Sequence, residues 1–249
     1  MAEHSHRGGG GPIGPGFIRY HALRLGLKSL ARAYVRVRVK GSANIPSAGP
    51  YIICFSHPSW LDPFFLTAEW PDRERRLFIF GPREQDMRRG LRNRLIRWTG
   101  REVPFKPGAQ DVVDATRRAT AVLRSGACLA VAGEGRLSDL EGRVLPLESG
   151  LAHFARLSGA GILPTAMIGT RWVHLGSRVV IRIGQPLYAA DFPPGKPGLA
   201  AMTAAAQAQL QGMLEGVPER DPPGPFGRWV SELFNDRPWL EADGPAERS

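Results

Sequence analysis

Two uninterrupted apolar runs, YIICF over residues 51–55 and ACLAVA over residues 127–132, place the tightest limit on what this chain can fold into. A continuous apolar stretch of this length, bounded by turn residues such as those of SANIPSAGP, reads as a buried strand. Between the two runs the period changes to that of a helix. Val112, Ala115, Ala119 and Val122 form one apolar face behind the N-cap candidate Asp111, and Gly126 offers a left-handed stop, so residues 111–125 are predicted helical. Further strands are expected at Leu77–Phe80, in VRVRVKG, in GILPTAMIG and in RVVIRIG, with helices near 149–158 and 198–214. Strands interleaved with helices in this way indicate an α/β fold: a central, mostly parallel sheet flanked by helices.

The ends differ in composition from this middle. Residues 1–16 are Gly-rich, polar and aperiodic, and read as a disordered leader. One domain is expected over residues 17–217, opening with an amphipathic helix at 17–36. Residues 218–249 form a Pro-rich tail with a short amphipathic piece around Phe226–Phe234. In the first helix Tyr20, Leu23, Leu27, Leu30 and Tyr34 recur at helical spacing beside a basic row of Arg24, Lys28, Arg32 and Arg36. Two readings fit: a helix lying in a membrane interface, or one packed on its own core with the charged row in solvent. A second basic segment, 86–98, repeats Met87, Leu91 and Leu95 among five arginines.

The chain carries 33 basic against 23 acidic residues, a formal net charge of +10, which attracts phosphates on nucleic acid, anionic lipid or small molecules. No window approaches the roughly 18 apolar residues of a membrane span, so any membrane contact is expected at the surface. Cys54 and Cys128 sit inside the apolar runs and read as reduced, buried thiols.

The first apolar strand leads directly into FSHPSWLDPF. His57 stands at the strand's exit, and Pro58 suits the first position of a helix, since it lacks the N–H that would be orphaned there. Strand-to-helix junctions in α/β sheets open onto a crevice and present backbone N–H groups to anions. Asp62 lies five residues on, within reach of a histidine turned back from the helix cap. A carboxylate holding one imidazole nitrogen while the other takes a hydroxyl proton is the arrangement that general-base attack requires. Alone, this spacing arises often by chance.

Downstream stand GREVPFKPG, then GEGRLS after the second buried strand, then ILPTAMIG. Together with FSHPSWLDPF, from about Val39 to Leu187, these blocks resemble the lysophospholipid or glycerol-phosphate acyltransferase family in order and interval. The resemblance implies His57 as base, Asp62 as its orienting partner, and acyl-CoA or acyl-carrier protein as co-substrate, with no other cofactor and no metal. It implies a lysophospholipid acceptor, most simply 1-acylglycerol-3-phosphate, at an anionic membrane surface on the cytoplasmic face. For the acceptor phosphate it points to Glu134, Gly135 and Arg136, with Lys106 or the upstream Arg101 standing where the family's second block has arginine. Ser56 replaces the family's asparagine before the histidine, and Glu148 a lysine after the third block. Backbone N–H groups at the helix start after His57 are expected to hold the oxyanion.

Other classes find less support. The chain has no G-x-S-x-G elbow, no G-x-x-x-x-G-K-[ST] loop, no metal-ligand spacing and no nucleic-acid motif. A thioester hydrolase using the same pair on water, or action on a different acceptor, stays open. A non-enzymatic basic binding protein rests on charge alone.

Overall fold

The computed structural model describes residues 15–83, 91–105, 109–138 and 140–235. The expected leader therefore lies almost wholly outside the described residues, as do Glu84–Gly90 and Lys106.

The elements, in chain order, are α1 (Pro15–Tyr34), β1 (Arg36–Lys40), β2 (Tyr51–Phe55), α2 (Asp62–Glu69), β3 (Leu77–Arg83), α3 (Leu91–Thr99), β4 (Glu102–Phe105), α4 (Ala109–Arg124), β5 (Cys128–Ala132), α5 (Gly150–Ser158), β6 (Gly161–Ile168), β7 (Arg178–Ile183), α6 (Gly195–Leu214) and α7 (Pro225–Asn235). The strands form a seven-stranded sheet in the order β1-β7-β6-β2-β5-β3-β4. Every pairing is parallel except β6 with β7, so β1 and β7 run against the rest. The sheet is mostly parallel, as expected.

Helices cover both faces, which is why the central strands are apolar throughout. Tyr51, Ile53 and Phe55 of β2 point to a core shared with α1, α2 and α3. Ile52 and Cys54 point the other way, to α4, α5 and α6. All eight residues of α2 are buried, for it lies between the sheet and α1. A fully buried Leu66 or Ile53 contributes roughly 1.5–3 kcal/mol each. Both cysteines are free and buried within this core.

α1 fits neither expectation whole. Tyr20, Leu27 and Tyr34 pack inward, and the basic row divides: buried Arg24 donates to the Trp70 carbonyl at 2.6 Å, half-buried Lys28 lies 3.8 Å from buried Glu69, and Arg32 pairs with the same carboxylate at 3.1 Å while staying exposed, as Arg36 does. Beside its exposed Arg19, Ser29 and Arg32, α1 exposes the apolar side chains of Ile18, Leu25 and Leu30. Residues beyond 217 also make contacts with the sheet's loops. Ser231 of α7 is fully buried and accepts the Val173 N–H at 2.9 Å, and Glu219 accepts the Glu141 N–H at 3.1 Å.

Candidate active site

The chemistry gathers beyond the carboxyl ends of β2, β5 and β6. β2 delivers the chain to Ser56, whose hydroxyl accepts the Met167 N–H at 2.9 Å and so ties its end to β6. His57 follows. No helix starts at Pro58, contrary to expectation; α2 begins at Asp62, with Pro63 in its first turn. The cause is a tight turn in which the Asp62 N–H donates to the Ser59 carbonyl at 3.1 Å while the Ser59 N–H donates to Asp62 Oδ2 at 2.9 Å. A carboxylate taking the N–H three residues upstream is the return half of a capping box, and its charge is favoured at a helix start.

This turn brings Asp62 back to the histidine. His57 Nδ1 lies 2.9 Å from Asp62 Oδ2, with the aspartate fully buried and the histidine 7 % exposed. Because a carboxylate can only accept, the proton belongs on Nδ1, which leaves Nε2 with its lone pair free to take a proton. Phe55 and Trp60 stand edge-on to the ring, at centroid distances of 5.4 and 5.8 Å, and fix its plane. Burial raises the Asp62 carboxyl above its ordinary range, against the opposing hydrogen bond and charge of His57, the neighbouring Thr170 hydroxyl and the Ser59 N–H.

The loop after β5 closes around His57 from the other side. Glu134 Oε1 accepts the His57 N–H at 3.0 Å, and the Ser138 N–H donates to the His57 carbonyl at 3.0 Å. Glu134 Oε2 accepts the Leu145 N–H at 3.1 Å, so both its oxygens are engaged by backbone. Burial raises this carboxyl too, while the two N–H donors pull it back. Gly135 turns the loop at φ 65°, where a side chain is strained. Arg136 follows, exposed, in the stretch between the two groups that grip His57.

The residues expected at the site thus divide. His57, Asp62, Glu134, Gly135 and Arg136 come together. Arg101 does not: it precedes β4, three strands from β2 and toward the opposite ends of the parallel strands. There it is buried, 4.0 Å over the Tyr20 ring, in an interior space shared with Leu23, Phe64 and Ile96. Sequence order placed it near the second block, but the crossover carries it away. Lys106 lies outside the described residues. Glu148 is exposed and its side chain lies over Gly135, putting a negative charge where the family has a lysine. The expected oxyanion donors are largely spent: the N–H groups of Ser59, Leu61 and Asp62 serve Asp62 Oδ2, Ser59 Oγ and the Ser59 carbonyl.

Two further residues escaped the sequence reading. Thr170, after β6, is fully buried against Asp62, and Glu141, fully buried, accepts the Arg171 N–H at 2.9 Å. Neither carries a local signal, since both act through partners distant in sequence.

A buried His–Asp pair at the carboxyl edge of a mostly parallel sheet, with the far imidazole nitrogen open, defines a site for general-base transfer of a group to a nucleophile. Residues 36–168 match the Acyltransferase family, and the chain belongs to it: it is an acyltransferase. Among solved structures it is similar to a crystal structure of the 1-acyl-sn-glycerophosphate (LPA) acyltransferase PlsC from Thermotoga maritima, with a TM-score of 0.56 and 22 % identity over 78 % of this chain and 81 % of that one. That likeness is one of fold. No curated protein sequence matches the chain.

Proposed function

We propose that the chain transfers a fatty acyl group from an acyl-CoA or acyl-carrier-protein thioester to the hydroxyl of a lysophospholipid, most simply 1-acylglycerol-3-phosphate, in phospholipid biosynthesis. The observation that carries this reading is the 2.9 Å His57–Asp62 contact with Nε2 left open, in a chain of the acyltransferase family. His57 Nε2 takes the hydroxyl proton as the oxygen attacks the thioester carbonyl. The carbon–sulfur bond then breaks, and the departing thiolate recovers a proton from the imidazolium. Asp62 holds the tautomer and stabilises the imidazolium. Arg136 is the residue for the acceptor phosphate, because a guanidinium fork pairs bidentately with phosphate oxygens and Arg136 stands exposed beside the base.

Such an acceptor resides in a membrane, and several features suit a peripheral position on an anionic surface. No helix among the described residues is long and apolar enough to cross a bilayer. Exposed apolar side chains instead stand at Leu175 in the loop after Thr170, at Phe226 and Trp229 on α7, and at Leu25 and Leu30 on α1. The Gly176 N–H donates to the Tyr34 carbonyl at 2.7 Å, joining the Leu175 loop to the end of α1, and Gly227 packs against His174, joining it to α7. Aromatic side chains with one wet edge favour the lipid–water boundary.

Purified protein is to be assayed for free thiol and for acylated product, with and without 1-acylglycerol-3-phosphate. Product formation that needs the acceptor, and a loss of about a hundred- to ten-thousand-fold in His57→Ala, is expected. Thiol release indifferent to the acceptor would show a hydrolase instead.

A further inference from the structure

We propose that Thr170 is a positioning residue for the His57–Asp62 pair: its hydroxyl serves the second oxygen of the Asp62 carboxylate, and Glu141 holds the loop that places it. This rests on the reading of His57 as the base. The two oxygens of Asp62 are unequally served. Oδ2 faces both His57 Nδ1 and the Ser59 N–H, each at 2.9 Å, whereas Oδ1 is buried and accepts no formed hydrogen bond from any described residue. A buried carboxylate oxygen without a donor is costly, so a donor is required there.

Thr170 supplies one. It is fully buried, its hydroxyl makes no other hydrogen bond among the described residues, and it stands close enough to Asp62 to favour the charged carboxylate. Neither the Thr170 hydroxyl nor Asp62 Oδ1 has a formed partner, and rotation of the threonine side chain would present the hydroxyl to that oxygen. The backbone on either side is pinned. Before it, Gly169 turns at φ 81° with its Cα so close to the Arg178 carbonyl that a Cβ would lie 2.2 Å from that oxygen. After it, the Arg171 N–H donates to Glu141 Oε1 at 2.9 Å.

Glu141 is itself anchored from the C-terminal segment. Its N–H donates to Glu219 Oε2 at 3.1 Å, and its second carboxylate oxygen lies 3.5 Å from Arg220 Nε. Asp62 is therefore fixed by its own turn through Oδ2 and by a loop of β6, braced from residues 219–220, through Oδ1. The charged groups around it are His57 and, further off, the carboxylates of Glu134 and Glu141. Thr170 makes no contact with the reacting atoms, so its influence passes through Asp62.

The test compares Thr170→Val and Thr170→Ser with wild type, using an acyl-CoA and 1-acylglycerol-3-phosphate, with His57→Ala as control. Valine keeps the shape and deletes the hydroxyl. It is expected to lower kcat roughly tenfold, the rate equivalent of one hydrogen bond. KM for both substrates should hold, and the acid limb of kcat/KM should move to higher pH, because a carboxylate stripped of a donor protonates sooner. Serine should restore kcat and the acid limb. Wild-type kcat and acid limb in Thr170→Val, with His57→Ala inactive, would overturn the inference alone. Equal losses in Val and Ser that track a fall in Tm would overturn it as well, by showing a packing role. An active His57→Ala would overturn the base itself and this inference with it.

Discussion

At the scale of single residues the site is a set of buried carboxylates with divided tasks. Asp62 faces the imidazole, Glu134 grips the backbone of His57, and Glu141 braces the loop behind Asp62. Truncating Glu134 to Ala strands the buried N–H of His57, at a cost of about 1–3 kcal/mol, and the half-buried N–H of Leu145 as well. Glu134→Ala should therefore lower Tm and kcat together in thermal melts and rate assays, while Glu134→Gln, which keeps one acceptor oxygen, should lose less of both. Glu141 gives a pH test. Burial raises its carboxyl above the unfolded value, against the Arg171 N–H and the Arg220 charge. A raised acid binds more protons folded than unfolded, so its contribution is favourable below the unfolded pKa and is lost as pH rises through the folded one. Glu141→Gln, which copies the protonated form, should be more stable than wild type to urea at pH 8, and the gain should vanish near pH 4.

At the scale of elements, the distance between an expected and an observed boundary has a physical source. Pro58 is compatible with a helix start, but the competing Ser59–Asp62 turn delays α2 to Asp62 and thereby points its carboxylate at His57. The basic row of α1 reads as a solvated face because its partner, Glu69, lies 37 residues from Arg32. The clasp at residues 133–138 depends on one left-handed residue. Gly135→Ala would place a Cβ 2.9 Å from Glu148 Cγ, a flexible exposed side chain that can swing aside, so the remaining cost is backbone strain of about 1–2 kcal/mol. Denaturant titration should show that loss, and the acyl-transfer rate should fall further than stability does, because the loop carries both contacts to the His57 backbone.

At the scale of the whole molecule, function requires that the site and the lipid meet. Phe226 and Trp229, with ring centroids 5.9 Å apart, form an exposed aromatic pair on α7. Replacing both with Ser should weaken cosedimentation with vesicles containing anionic lipid by tenfold or more, since each ring's transfer is worth about 1.5–3 kcal/mol when fully buried. Activity on a water-soluble short-chain acceptor should be unchanged. Equal vesicle binding by the double variant and wild type would remove α7 from the membrane-facing surface.

The chain's local chemistry was enough to determine the buried strands, the helices between them, the α/β class, and the His57–Asp62 candidate, because apolar continuity, helical period and short-range spacing are properties of neighbouring residues. Tertiary structure alone decided that β7 runs against β6, that Arg101 is a core cation away from the site rather than beside the acceptor phosphate's other candidates, that Glu134 holds backbone, and that Thr170 and Glu141 stand behind Asp62. Each of these depends on which distant segments the sheet order makes adjacent, and contacts such as His57 to Glu134, 77 residues apart, leave no trace in local pattern.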